Sequence, residues 1–139
     1  MLLSAMNSNA CIFDLDGVVF VNPFFENLED FYQNIQYCIP QDWTVKLING
    51  LYNQGIKIIF LTARDMKCRG ITYYQLKELF DFPIHLYMRR RGDTREDHIV
   101  KQEYMEQLVK KYNILFCMDD NVKNCEMYRT FGLTTLQVK

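Results

Sequence analysis

The chain has 139 residues, 49% of them apolar and 24% charged, with a formal net charge of −1. That is enough for one sizeable core and too little for two, so residues 1–139 are expected to form a single domain. No run approaches the length of a membrane span, and the near-neutral balance supplies no global basic field to draw in nucleic acid.

The five cysteines, Cys11, Cys38, Cys68, Cys117 and Cys125, are odd in number and never spaced C-x-x-C. Neither a disulfide framework nor a zinc site is expected, and a reducing, cytoplasmic setting fits. Cys11 and Cys117 sit in apolar runs, where free cysteine behaves as a small hydrophobe. Met1-Leu2-Leu3-Ser4-Ala5 lacks the basic start and long apolar stretch of a signal peptide.

Taken in order, Cys11-Ile12-Phe13 predicts a buried strand that ends in Asp14-Leu15-Asp16-Gly17. Residues 18–25 show no clear period. A helix is expected from Asn27, or from Asn22-Pro23, through about Gln36, with Leu28, Phe31, Tyr32 and Ile35 on one face. Trp43, Leu47, Ile48 and Leu51 predict a helix over 41–54, with Gly55 at its C-terminal stop. Ile56 to Leu61 is nearly all apolar, as a strand covered on both faces should be, and ends at Thr62-Ala63-Arg64-Asp65.

A helix over 71–80 and a strand over 84–88 follow, then the polar loop Arg89-Arg90-Arg91-Gly92-Asp93-Thr94. Ile99, Val100, Tyr104, Leu108 and Val109 mark a long amphipathic helix ending near Tyr112. Residues 114–118 predict another buried strand, terminated by Asp119-Asp120-Asn121. A helix over 122–131, closed by Gly132, and a last strand over 134–138 complete the chain. Alternating strands and helices imply an α/β fold on a parallel sheet, whose strand C-termini share one edge.

That edge would gather Asp14 and Asp16, Thr62 and Arg64, and Asp119 and Asp120, with Lys101 near a helix start. Two carboxylates one residue apart repel, and a divalent cation or a shared proton must offset this. Acids, a hydroxyl and a lysine together suit phosphoryl transfer to a carboxylate.

The ordered set Asp14-Leu15-Asp16-Gly17, Leu61-Thr62, Lys101, Asp119-Asp120 resembles the four signatures of the haloacid dehalogenase (HAD) superfamily of aspartyl-phosphate phosphatases. A nearer likeness is to the 3′-phosphatase domain of phage polynucleotide kinase/phosphatase, and a phage- or virus-encoded source fits it. It is carried by Thr62-Ala63-Arg64, by Arg89 through Lys101, and by Met118-Asp119-Asp120-Asn121 through Glu126-Met127-Tyr128-Arg129.

The resemblance implies a three-layer, Rossmann-like HAD sheet flanked by helices, without a large cap domain. It also implies Mg²⁺ as cofactor. Asp14 would be the nucleophile and a metal ligand. Asp16 would protonate the leaving oxygen, activate water and lend its backbone carbonyl to the metal. Thr62 would bind a phosphate oxygen and Lys101 would bridge Asp14 and the phosphate. Asp120 would ligate the metal directly with Asp119 in support, while Arg64, Arg89 and Asp97 would serve as auxiliary substrate-binding positions.

The implied activity is a Mg²⁺-dependent phosphomonoesterase, a polynucleotide 3′-phosphatase acting on a nucleic-acid 3′ end. The alternative is a 5′(3′)-nucleotidase or other small-molecule phosphatase of the same superfamily. A phospho-accepting receiver domain shares the residue types, but there the lysine follows the last acids, and here Lys101 precedes Asp119. A catalytically dead binding domain is disfavoured by the retention of Asp14, Asp16 and Lys101.

Some features depart from the likeness. Val18 stands where threonine is common, and residues 18–45 contain no Lys, Arg or His but four acids, Glu26, Glu29, Asp30 and Asp42. A polyanion gains no counterion release there. The aromatics Phe20, Phe24, Phe25, Phe31 and Tyr32 would either stack a base or belong to the core. Lys67 and Arg69 could add a basic rim near Arg64, whereas Arg90 and Arg91 read equally as a solvated turn. His85 reads as structural and His98 as solvent-facing. No G-x-x-x-x-G-K-[ST] occurs, so no kinase half is expected.

Overall fold

The computed structural model describes residues 7–139, so the reading of Met1–Ala5 lies outside the described residues. The first half contains β1 (Asn9–Phe13), β2 (Phe20–Val21), α1 (Leu28–Gln33), a 3-10 turn (Ile35–Tyr37), β3 (Ile39–Pro40), α2 (Asp42–Asn53) and β4 (Lys57–Asp65). The second half contains a 3-10 turn (Met66–Cys68), α3 (Arg69–Leu79), β5 (His85–Arg89), α4 (Asp97–Lys111), β6 (Asn113–Asp119), α5 (Val122–Thr130) and β7 (Thr135–Gln137).

β1 is the middle of a five-stranded parallel sheet in the order β5-β4-β1-β6-β7. The side-chain period of two splits each apolar run between two cores. Cys11 and Phe13 of β1 join Ile58 and Phe60 of β4 on one face, packed under Ile48 of α2 and Leu76 of α3. Ala10 and Ile12 join Ile59 and Leu61 on the other, packed under Met105 and Leu108 of α4 and Met127 of α5. Helices on both faces make three layers, the α/β architecture expected. Because all five strands run in parallel, Asp14, Thr62, Arg89 and Asp119 all come to the same edge of the sheet.

The structure differs from the periodic reading where short-range signals compete with tertiary contacts. The segment without a period supplies β2, which pairs antiparallel with β3 through Phe20↔Pro40 and Val21↔Ile39. Two-residue strands carry no readable alternation. The ribbon is set instead by Gly17, at φ +88°, and by Thr44 and Gln41, whose side chains donate to the Val18 carbonyl at 2.7 and 2.9 Å.

Asn27 caps α1 by accepting from the Asp30 N–H at 2.9 Å, but the helix stops at Gln33 and a 3-10 turn carries Ile35. Leu28, in its first turn, is 68% exposed and faces a groove instead of the core. Trp43, expected on the buried face of α2, is exposed, with its ring N–H donating to Gln41. In α4 the inward residues are Val100, Lys101, Met105 and Leu108, while Ile99 lies on the outer side. A lysine thus occupies the apolar stripe.

Ile48 is fully buried on the inner face of α2. Ile48→Ala is expected to cost about 2–5 kcal/mol. The check is urea unfolding, where the midpoint should fall with an unchanged slope.

Candidate active site

Asp14 follows β1, and its N–H donates to the Met118 carbonyl at 3.0 Å, so its backbone is still tied to β6. Lys101 reaches the sheet edge from the second turn of α4 and is 1% exposed. Its Nζ donates to Asp14 Oδ1 at 3.0 Å and to Asp119 Oδ2 at 2.7 Å. Burial alone would lower the lysine pKa. The carboxylates of Asp14 and Asp119 outweigh it and hold the ammonium well above its ordinary value.

Asp119 is fully buried and accepts from Lys101, from the Tyr128 hydroxyl at 3.2 Å, from the Asn124 amide at 3.3 Å and from the Asn121 N–H at 3.1 Å. Burial would raise this carboxyl, but Lys101, Asn121 and Asn124 bring it below its usual range. Asp14 goes the other way. Burial, only partly offset by Lys101 and reinforced by Asp119, Asp16 and Asp120, pushes its carboxyl well above the ordinary value. Burial raises Asp120 too, with Asp14 acting against it and the charge of Asp119 adding to it.

Carboxyl groups held this close to one another need a proton or a cation between them. Asp14, Asp119 and Asp120 each place one oxygen within 4.8 Å of the others. Three carboxylates facing one ammonium leave negative charge uncompensated. A hard-oxygen donor set of this kind fits a divalent cation such as Mg²⁺. Gly17 is part of the fit: a Cβ there would meet Asp120 Oδ2 at 2.0 Å, so only glycine admits that carboxylate.

The side chain of Asp16 turns away from this cluster. Arg64 grips it with both edges of the fork, Nε to Oδ2 at 2.9 Å and Nη2 to Oδ1 at 2.7 Å. The remaining guanidinium N–H groups go to Thr72 at 3.1 Å, Gln75 at 2.9 Å and Cys38 Sγ at 3.7 Å. Arg64 therefore has no donor left for a substrate, and its influence on chemistry runs through Asp16. Of the metal set named from the sequence, Asp14, Asp119 and Asp120 cluster, while both carboxylate oxygens of Asp16 are held by Arg64.

Thr62 is buried in β4, which runs four residues beyond the apolar run, and its hydroxyl accepts from the Arg64 N–H at 3.1 Å. Phe13 pairs with Phe60, so Thr62 stands beside the turn that carries Asp14. Arg89 and Asp97 form a separate pair at 2.5 Å. Arg89 also donates to the carbonyls of Ala63, Asp93 and Arg95, at 3.0, 3.0 and 2.6 Å, bracing the loop between β5 and α4. Both line the same groove as Asp16.

Tyr128 and Asn124 received no role from the sequence. They lie four residues apart on α5, with the Asn121 cap three before Asn124, so one helix face after the acid pair turns back onto Asp119. That spacing was a usable signal. Thr72, Gln75 and Cys38 around Arg64 gave none, because Thr72 and Gln75 come from α3 and Cys38 from the end of the 3-10 turn before β3, with no shared period to link them. His85 is half-buried and its pKa is lowered by burial, then by Lys57 and Lys111. His98 stands 3.5 Å from Glu96.

This sheet, with its acids and lysine at the C-terminal edge, defines a phosphatase of the HAD superfamily. The chain belongs to the family of the polynucleotide kinase PNKP phosphatase domain, which matches residues 8–139. A chain of the solved Pnkp1/Rnl/Hen1 RNA repair complex is similar, with a TM-score of 0.84 at 27% identity over 95% of this chain and 42% of that one. A second structure of that complex gives 0.85 at 26% identity over 96% and 46%. The chain thus spans less than half the length of these two relatives. A class C acid phosphatase from Bacillus anthracis shares the fold, with a TM-score of 0.67 at 14% identity over 88% of this chain and 56% of that one. No curated protein matches the chain. Among the described residues no helix is long and apolar enough to cross a membrane.

Arg64→Lys keeps the charge but loses the two-pronged grip on Asp16. We expect kcat for phosphate release to fall roughly 10- to 100-fold with little change in KM. Steady-state kinetics at fixed pH would show the split, and an equal loss in KM would contradict it.

Proposed function

We propose that the chain is a Mg²⁺-dependent polynucleotide 3′-phosphatase that works through an aspartyl-phosphate intermediate. The buried Lys101 ammonium between Asp14 and Asp119 is the observation that carries this reading. It supplies a fixed positive charge beside a carboxylate at the crevice of a parallel sheet, where a phosphoryl group would meet both.

Asp14 attacks phosphorus in line through a carboxylate oxygen, and the bond to the leaving oxygen breaks. Asp16, oriented by Arg64, gives its proton to that oxygen and then takes one from the water that hydrolyses the acyl phosphate. Inorganic phosphate leaves and Asp14 is regenerated. Lys101 and the Thr62 hydroxyl bind the equatorial oxygens through both steps. Arg89 and Asp97 shape the side on which the leaving group lies. Asp14, Asp120 and the Asp16 carbonyl would hold Mg²⁺, with Asp119 in support. When bound, Mg²⁺ neutralises the phosphoryl oxygens and keeps Asp14 anionic against the burial that otherwise favours its protonated form.

The 3′ end as substrate is supported by the family match and by the likeness to a chain of an RNA repair complex. Phosphate release from a 3′-phosphorylated oligonucleotide, compared with its 5′-phosphorylated isomer and with mononucleotides, tests it. Preference for the 3′-phosphorylated oligonucleotide is expected, and equal or better turnover of mononucleotides would replace the reading with a nucleotidase. Asp14→Asn should lower kcat by about a thousandfold or more, since an amide is no nucleophile. EDTA should abolish turnover and added Mg²⁺ restore it.

A further inference from the structure

We infer that the groove beside Asp16 receives the leaving group as a terminal nucleoside held by stacking, and not as a length of phosphate backbone. This deepens the 3′-phosphatase reading and rests on it. The groove, about 1200 Å³, runs between residues 22–33 and 89–97 with Asp16 and Arg64 along it. That volume exceeds the usual size for one small ligand, so space alone would admit a longer strand. Charge makes the choice.

Four cations line the groove: Arg64, Lys67, Arg89 and Arg95. Three are already ion-paired. Arg64 is held by Asp16, Arg89 by Asp97, and Arg95 by Asp93 at 2.7 Å and by Glu103. Among the described residues Lys67 alone of the four lies outside an ion pair, and its Nζ sits 4.2 Å over the Tyr32 ring. Glu29 and Asp65 also line the groove without an ion-pair partner among the described residues. Arg90 and Arg91 are exposed but do not line it. A phosphate backbone laid here would find nearly every guanidinium committed and two carboxylates, Glu29 and Asp65, that no cation among the described residues pairs.

The wall formed by residues 22–33 carries, beside Glu29, the groove's aromatic and aliphatic side chains. Phe25 is 37% exposed, and its ring packs 5.0 Å from Phe31, whose own ring lies 5.8 Å from the Arg64 guanidinium. Leu28 lies exposed along the same wall. An anchored, half-open aromatic ring beside a catalytic acid offers a face to a nucleobase, and stacking needs no countercharge.

The test is KM for a 3′-phosphorylated dinucleotide and dodecanucleotide in Mg²⁺, between about 50 and 200 mM salt. KM should agree within about threefold between the two lengths and change less than about threefold with salt, as at most one phosphate contact predicts. A substrate gripped by three phosphates would lose roughly twentyfold over that range. Phe25→Ala should raise KM about tenfold for both lengths, and Phe25→Trp should recover it. Replacing Arg90 and Arg91 together by alanine should leave KM unchanged. A steep salt or length dependence, an inert Phe25→Ala or a raised KM in the double arginine variant overturns the inference while leaving a 3′-phosphatase. No turnover of either oligonucleotide removes both readings.

Discussion

A lysine ammonium taken out of water needs more than one acid around it. Lys101 is buried in the stripe of α4 that otherwise packs Val100, Met105 and Leu108 against the sheet. Its desolvation is tolerable because β1 and β6, adjacent strands, each deliver a carboxylate to it. The same contact ties α4 to the sheet edge and sets where a phosphoryl group could lie. Asp119 repeats the logic one layer out. It is spared a lone buried charge by four donors, two of them from the α5 face that follows it.

Asp14 and Asp16 are chemically identical and two residues apart, yet the fold gives them opposite surroundings. Asp14 faces other acids and an ammonium in a buried cluster, while both oxygens of Asp16 are taken by a single guanidinium. Divergent environments are how one residue type can serve two roles in a site. Arg64 enforces the division. Its five N–H groups are spent on Asp16, Thr72, Gln75 and Cys38, which also fastens the segment after β2 to β4 and α3.

The segment after β2 and the helix α1 form one bank of the groove, and the loop braced by Arg89 forms the other. The two banks differ in kind: one presents aromatic and aliphatic side chains, the other arginines already neutralised by neighbouring acids. Specificity in such a groove comes from shape and stacking more than from attraction at a distance.

Local pattern was sufficient for the main skeleton. Apolar runs of strand length, each followed at once by Asp, Thr or Arg, located β1, β4 and β6 and put their polar ends at one edge, because a parallel sheet leaves no other arrangement. Asn27 as a cap, and Gly55 and Gly132 in left-handed turns at φ +83° and +74°, were legible for the same local reason. Spacing and periodicity did not give the partners of those polar ends; the meeting of Lys101 with Asp14 was expected only from the family likeness, and that of Arg64 with Asp16 not at all. Lys101 meets Asp14 across 87 residues, and Arg64 meets Asp16 across 48. Taken alone, a lysine in an amphipathic helix reads as a surface residue. Periodicity reports which face of an element is buried, but not what lies opposite it. Which carboxylate faces the ammonium, which arginine is spent inside the protein and which leucine is left exposed were therefore decided only when the layers packed.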